Sequence, residues 1–371
     1  KLELPYMVKP ERNDDHANGI TTQDIIAIQK HILGQKTISS PYQLIAADVN
    51  ASKNVTTADI NELRKLILGN ISEFNKVQSW TFVPTAYNFA NPLSPYDAPR
   101  VANITFTQTT LPEEIAAPFV AIKMGDVTGD ARASNASGSS SRTSGVLNIE
   151  VDEKSLTAGE SYKIAFKSSD FNSIAGYQFT LKFDRNALSF EGIEAGSLNV
   201  TESNFGTMRL NEGIITTSWN SNKGETVGKD GELFSLVFKA VRSAQVSSLF
   251  AITSDVTRAA AYDVMDQTKE VKMGVRTAKG VVESGIFELY QNEPNPFSKE
   301  TVVSYRLPEA GAVSLTVYDV TGKVVRVYNL KGQKGLNSYQ ISKGDLNATG
   351  VLYYQLDAAN HTATRRMVII E

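Results

Sequence analysis

The chain contains no cysteine, which excludes a disulfide framework, cysteine-ligated zinc or iron–sulfur centres, and a thiol nucleophile. Histidine is scarce: His16, His31 and His361 alone are open to acid–base or metal chemistry of that kind. Charge of one sign is not in excess either. Lys and Arg number 37 against 40 Asp and Glu, a net −3, without the basic stripe that nucleic-acid binders carry. No apolar run approaches the ~20 residues of a membrane-spanning helix. The motifs HExxH, GxSxG, GxGxxG and the P-loop pattern are absent. The sequence starts at Lys1 with neither initiator Met nor signal peptide, so the expectation is the C-terminal part of a longer precursor.

What remains, over 371 residues, is enough for two or three domains with their own cores. An internal repeat organises the start. Gly19-Ile-Thr-Thr-Gln-Asp24 through Gly34 aligns with Asn54-Val-Thr-Thr-Ala-Asp59 through Gly69. Ile25, Ile28 and Ile32 in one copy, and Ile60, Leu63 and Ile67 in the other, recur at helical spacing. Gly34 and Gly69 are stop signals. Two amphipathic helices follow, each entered through a polar loop. His31 aligns with Leu66 and reads as a packing residue rather than a base. From Val77 to Asp130 aromatics and prolines predominate, which predicts short strands and a strap over the helices. Residues 131–145 are small or polar apart from two arginines and bury too little to order themselves, so they read as a linker.

Residues 146–280 alternate polar and apolar in short runs such as Tyr177-Gln-Phe-Thr-Leu-Lys-Phe183, the pattern of a β-sandwich. Residues 281–371 repeat the pattern on a smaller scale. Val313–Tyr318 and Lys323–Tyr328 flank the turn Asp319-Val-Thr-Gly322 as a hairpin. Val351–Leu356 and Thr364–Ile370 add two strands.

The loops before the two helices are spaced for a hard cation. In the second, Asp48, Asn50, Ser52, Asn54, Thr56 and Asp59 take loop positions 1, 3, 5, 7, 9 and 12, with position 7 contributing its carbonyl. By the repeat offset, Asn13, Asp15, Gly19, Thr21 and Asp24 form the first, with Ala17 offering no side-chain ligand. Asp14, His16 and Asn18 fit a shifted register. The plainer alternative is that Thr21 and Thr56 simply cap helices, with acids supporting the dipole. One or two Ca²⁺ ions are expected. Asp126, Thr128 and Asp130 show the same two-residue spacing, but no helix follows them. A solvated turn ending the first module is the expectation there, a half-loop ion site the alternative.

The paired segments Asp48-Val-Asn through Leu66-Ile-Leu-Gly69, with their upstream copy, resemble a dockerin module. That resemblance implies an EF-hand-type helical unit, one calcium per loop and a helix face presented to a cohesin. Ser52, Ala17 and Lys53 depart from its pattern, implying weaker binding. Leu147-Asn-Ile-Glu-Val151, Ile174 through Asp184 and Lys229 through Phe238 resemble a cohesin domain, implying a jelly-roll sandwich without catalytic activity. Phe287-Glu-Leu-Tyr-Gln-Asn-Glu-Pro-Asn-Pro-Phe297, Gly350–Leu356 and Arg365–Ile370 resemble the type A C-terminal sorting domain of type IX secretion, a small Ig-like sandwich. It implies passage across the outer membrane to the cell surface.

The expected architecture is therefore multidomain and mostly β: residues 1–130 dockerin-like, 131–145 linker, 146–280 cohesin-like and 281–371 sorting domain. The expected role is a non-enzymatic, calcium-stabilised surface region for protein contact and export. Its partners would be the secretion machinery and a cohesin or dockerin surface on the same chain or on the next, the latter giving a head-to-tail filament. The alternatives are the accessory tail of a secreted hydrolase, or a carbohydrate-binding sandwich with Tyr353 or Trp219 on its face.

Overall fold

The computed structural model describes residues 6–99, 104–106, 118–132, 143–278, 280–283, 287–308, 310–359 and 361–370. Most of the segment 131–145 lies outside the described residues.

Three helices open the chain. The two repeat helices are α1 (Thr22–Ile32) and α3 (Thr57–Ile67), with the seven-residue α2 (Pro41–Ala47) between them. Thr21 and Thr56 cap α1 and α3, and each cap is closed by an acid three residues on, Asp24 or Asp59. Both helices end before a glycine with left-handed backbone, Gly34 (φ 67°) and Gly69 (φ 70°). α2 has no counterpart in the repeat and was not expected. Its start is marked by Pro41 at the first helical position, and it buries Leu44, Ile45, Ala46 and Ala47. Ile25, Ile28, Leu44, Leu63, Leu66 and Ile67 form the core of this unit. Strands β1 (Trp80–Pro84) and β2 (Phe119–Lys123) pair antiparallel and lay Val83 and Ile122 over α2, the strap that the aromatic text predicts.

The central unit is a sandwich whose principal strands are β3 (Val146–Asp152), β4 (Ser161–Lys167), β5 (Ile174–Phe183), β6 (Leu188–Ala195), β7 (Ile214–Glu225), β8 (Glu232–Ala240), β9 (Ala260–Asp263) and β10 (Thr268–Thr277). They follow the order β7-β5-β9-β10-β3-β4-β8-β6, antiparallel except that β10 and β3 are parallel. Alternation sends Tyr177, Phe179, Leu181 and Phe183 of β5 inward, where Tyr177 stacks on Trp219 with ring centroids 5.5 Å apart. Trp219 is thus core, not a sugar platform.

The last unit pairs a three-stranded sheet with a four-stranded one. The first contains β11 (Glu288–Leu289), β12 (Glu300–Leu307) and β15 (Gly335–Ser342). The second runs β14 (Val324–Gly332), β13 (Gly311–Tyr318), β16 (Gly350–Ala358), β17 (His361–Ile369). Leu315, Val317, Tyr354, Leu356 and Met367 fill the space between them. This core is separate from the sandwich core. A carboxylate bridges the two units: Glu288, 7% exposed, pairs with Lys182 of β5, which also pairs with Asp255.

Leu63 is fully buried where α3 meets the α1 side of the first core. Leu63→Ala is expected to cost about 2–5 kcal/mol in that unit, read as an earlier transition by differential scanning calorimetry.

Candidate functional site: a two-part loop and a docked helix face

In the second loop, Asp48 Oδ1 accepts the Ser52 amide at 2.8 Å and Asp48 Oδ2 the Lys53 amide at 3.1 Å. Asp59 accepts the Asn50 amide at 3.3 Å and the Thr56 amide at 2.9 Å. Ser52 Oγ donates to the Asn54 carbonyl at 3.1 Å. The six sequence-predicted residues thus form one compact loop. It turns at Ala51 (φ 57°) and Lys53 (φ 64°), which have left-handed backbones.

The first loop is not the one the repeat offset predicts. Asn13 Oδ1 accepts the amide of Ser79, in the strap, and the Asp15 carbonyl turns back to the Asn18 amide. Thr21 and Asp24 hold the positions of Thr56 and Asp59, but the other half of the loop comes from a hundred residues downstream. Asp126 accepts the amides of Gly129, Asp130 and Ala131 at 2.7, 3.0 and 2.8 Å. Asp24 Oδ1 accepts the amides of Val127 and Thr128 at 2.8 and 2.9 Å, and Asp24 Oδ2 the Thr21 amide at 2.8 Å. The four amide bonds to the acids of the continuous loop have their counterparts: Asp126 acts as Asp48, Thr128 as Asn50, Asp130 as Ser52 and Ala131 as Lys53. Gly129 (φ 84°) stands where Ala51 stands. Gly19 (φ 74°) completes the closure, since a Cβ there would come within 2.4 Å of the Ala131 nitrogen. Asp126, expected in a solvated turn, is 8% exposed. The signal that would have found this half was the likeness of Asp126-Val-Thr-Gly-Asp130 to Asp48-Val-Asn-Ala-Ser52.

Burial pushes Asp24 up to about 7, reinforced by the nearby Asp126 charge, and pushes Asp126 and Asp59 up as well. Among the described residues neither Asp24 nor Asp59 has an ion-pair partner, and Lys123 gives its ammonium to the His16 carbonyl at 2.7 Å. No three His, Asp or Glu side chains converge among the described residues. In each loop the donor set is therefore two carboxylates, Asp48 with Asp59 or Asp126 with Asp24, beside amide, hydroxyl and carbonyl oxygens, all hard donors. Asp24 and Asp59, buried with no ion pair among the described residues, fit a divalent cation on this chemistry.

Beside the loops, the first unit lies on the outer face of β5 and β7. Ile26 sits among Ala175, Ala260 and Tyr262. The Thr22 amide donates to Gln178 Oε1 at 2.5 Å, and the Thr22 and Ser218 hydroxyls are 2.7 Å apart. Asn220 accepts from Arg64 at 2.5 Å and donates to Gln29 at 2.6 Å. The last carbonyls of α3, at Ile67 and Leu68, accept hydroxyls from Thr257 and Thr216, each at 2.6 Å. Helix ends leave such carbonyls unpaired, and here the sandwich supplies the donors. Lys30 and Lys36 flank Asp266 at 2.8 and 3.1 Å. Gly176 is required at the centre, because a Cβ would stand 2.9 Å from the Trp219 carbonyl oxygen as well as from Ile26 Cδ1. The histidines are peripheral: His31 Nδ1 accepts the Ile38 amide, and His361 stacks on Phe287.

A cohesin domain model matches residues 147–281, and a secretion system C-terminal sorting domain model matches residues 293–370. The chain carries a cohesin domain and a type IX sorting domain, both of non-catalytic families, and the second marks it for export to the cell surface. No helix among the described residues is long and apolar enough to cross a membrane. Among solved structures, the sixth cohesin of scaffoldin B from Acetivibrio cellulolyticus, in complex with a Cel5 dockerin, is 22% identical. It covers 35% of this chain and 96% of its own, with a TM-score of 0.28. A non-cellulosomal cohesin from Archaeoglobus fulgidus is 17% identical, over 35% of this chain and 86% of its own, at a TM-score of 0.25. No curated protein matches.

Asp126→Ala strands three amides and is expected to cost about 2–5 kcal/mol by thermal unfolding, whereas Asp14→Ala, on an exposed side chain, costs less than about 0.5 kcal/mol. Deleting residues 287–371 is expected to leave the protein in the periplasm on cell fractionation, and normal surface display contradicts the export role.

Proposed function

We propose that this chain is a non-catalytic, self-docked region of a surface protein, in which a calcium-loaded dockerin-type unit occupies the cohesin domain of the same chain. The observation that carries this reading is Ile26 of α1 seated among Ala175, Ala260 and Tyr262, ringed by the Thr22, Gln178, Ser218 and Asn220 hydrogen bonds. Small and polar side chains on an outward sheet face are ordinarily solvated. Here Gln178, Thr216 and Ser218 are nearly fully buried and each is partnered across the junction, as buried polar groups need to be.

The same face would serve a dockerin-type unit from a neighbouring chain, the head-to-tail arrangement. A short tether favours the intramolecular partner, because it fixes an effective concentration in the millimolar range. Asp48, Asn50, Ser52, Asn54, Thr56 and Asp59 would hold one Ca²⁺. Asp24, Asp126 and Thr128 would hold the second, with Thr21 closing the helix behind them. The cation would supply a counter-charge to Asp24 and Asp59. Asn13 and Asp15, both expected in the first set, are left out of it. The role that follows is a rigid, exported spacer rather than a reaction centre.

Ile26→Asn is expected to open the junction, raising the radius of gyration by small-angle scattering and the rate of proteolysis between residues 131 and 145. An unchanged radius and protease pattern refute self-docking. Chelation with EDTA is expected to lower the melting temperature of the first unit by several degrees, restored by Ca²⁺ alone. Unchanged melting refutes structural calcium.

A further inference from the structure

Arg64 of α3 brings a positive charge into the junction and, among the described residues, no carboxylate meets it there. Its Nη2 donates to Asn220 Oδ1 of β7 at 2.5 Å. Its Nε is fully buried and has no hydrogen-bond partner. Burial alone holds the proton affinity of this guanidinium below its ordinary value, with no acid to restore it. Glu62, two residues before it, is taken by Lys65 at 2.7 Å. Asn220 turns its Nδ2 the other way, to Gln29 Oε1 at 2.6 Å. Gln29 and Arg64 hold equivalent places in the two repeat copies, 35 positions apart. One amide thus serves both helices, giving its oxygen to the cation and its nitrogen to the neutral side chain.

Nε and Nη2 form the side fork of a guanidinium, two parallel donors that a carboxylate accepts together. An amide can fill only half of that fork, because its second terminal atom is itself a donor. We infer that the first unit fits best on a sandwich of this type that carries a carboxylate where this chain carries Asn220, and that it holds its own sandwich below full strength. The inference rests on the docking proposed above and adds the chemistry that ranks one sandwich against another. The replacement is isosteric. One carboxylate oxygen at position 220 accepts from Nη2 and the other from Nε, and Gln29, turned about its terminal bond, offers Nε2 in place of Oε1. The charge-assisted pair then removes the cost of a buried cation left half-satisfied. A second copy of this chain bears the same Asn220 and gains nothing by it, so the tethered sandwich keeps its advantage over that copy. A separate sandwich with the acid has a contact that the tethered one lacks.

The test builds the acid into the full chain. The Thr22 amide donates across the junction to Gln178, so its hydrogen exchange, followed by NMR, reports how often the junction opens. Asn220→Asp is expected to slow that exchange about tenfold or more, the factor that a hydrogen bond to a charged group commands. Arg64→Gln with Asn220→Asp is expected to lose the slowing. Arg64→Gln alone is expected to stay within about threefold of the parent rate, since removing a half-satisfied charge offsets the bond it gives up. Exchange in Asn220→Asp as fast as in the parent overturns the inference. So does a slowing that survives Arg64→Gln, or a tenfold acceleration by Arg64→Gln alone. Ile26→Asn separates this from docking itself. Faster Thr22 exchange in that variant, with no effect of Asn220→Asp, sinks only the preference for an acid. An unchanged rate in Ile26→Asn sinks the docking and the preference together.

Discussion

The Asp24 carboxylate is the point on which the first half of the molecule depends. It closes the cap of α1 through Thr21, and it fixes the turn at Val127 and Thr128 a hundred residues later. Its three amides and two hydroxyls compensate part of the cost of burying an acid, though not all, as its raised proton affinity shows. Without it, α1 loses its start and the chain leaving the unit loses its anchor. Thr22 and Ile26, which follow within a turn, then lose the orientation that places them on the sandwich. One short side chain thereby couples local helix geometry, the closure of a unit and its seating on the next.

The seating shows how a sheet face can be specific without being greasy. Ile26 is the one large apolar group that the helix contributes, set against Tyr262 of the sandwich, and around it Thr, Ser, Gln and Asn pair off. Apolar burial of one side chain is worth a few kcal/mol, and the surrounding polar pairs add little net energy each. They do exclude misalignment, because a shift of one residue would leave Gln178, Ser218 and the last α3 carbonyls buried and unpaired. The junction between the sandwich and the last unit is of another kind, centred on Glu288 and Lys182 rather than on a shared apolar cluster.

Much of this was legible in the sequence, for identifiable reasons. α1 and α3 carry caps, periodicity and stop glycines in register, so their existence and ends follow from local rules. The strand alternation of β5 places Tyr177, Phe179 and Leu181 in the core without further information. α2 escaped because seven residues offer less than two turns of periodicity. The first loop escaped for a deeper reason: its two halves belong to distant parts of the chain, and the offset that serves the second loop points to Asn13 and Asp15 instead. Asp126 has every local mark of a loop start and no helix after it, because its helix comes a hundred residues before it. The covered face of β5 and β7 was equally hidden, since Ala175, Gly176, Gln178 and Ser218 look like any solvated strand surface until α1 is laid on them.

Lys182 reaches in two directions, to Glu288 of the last unit and to Asp255 of its own. Were the last unit detached, the ammonium would keep one carboxylate and no unpaired cation would be bared on the sandwich. The acid that departs takes its negative charge with it, and among the described residues no apolar cluster is shared between the two units. The seam is thus one whose loss leaves its central cation still paired on the sandwich, so that parting there bares no lone charge at Lys182.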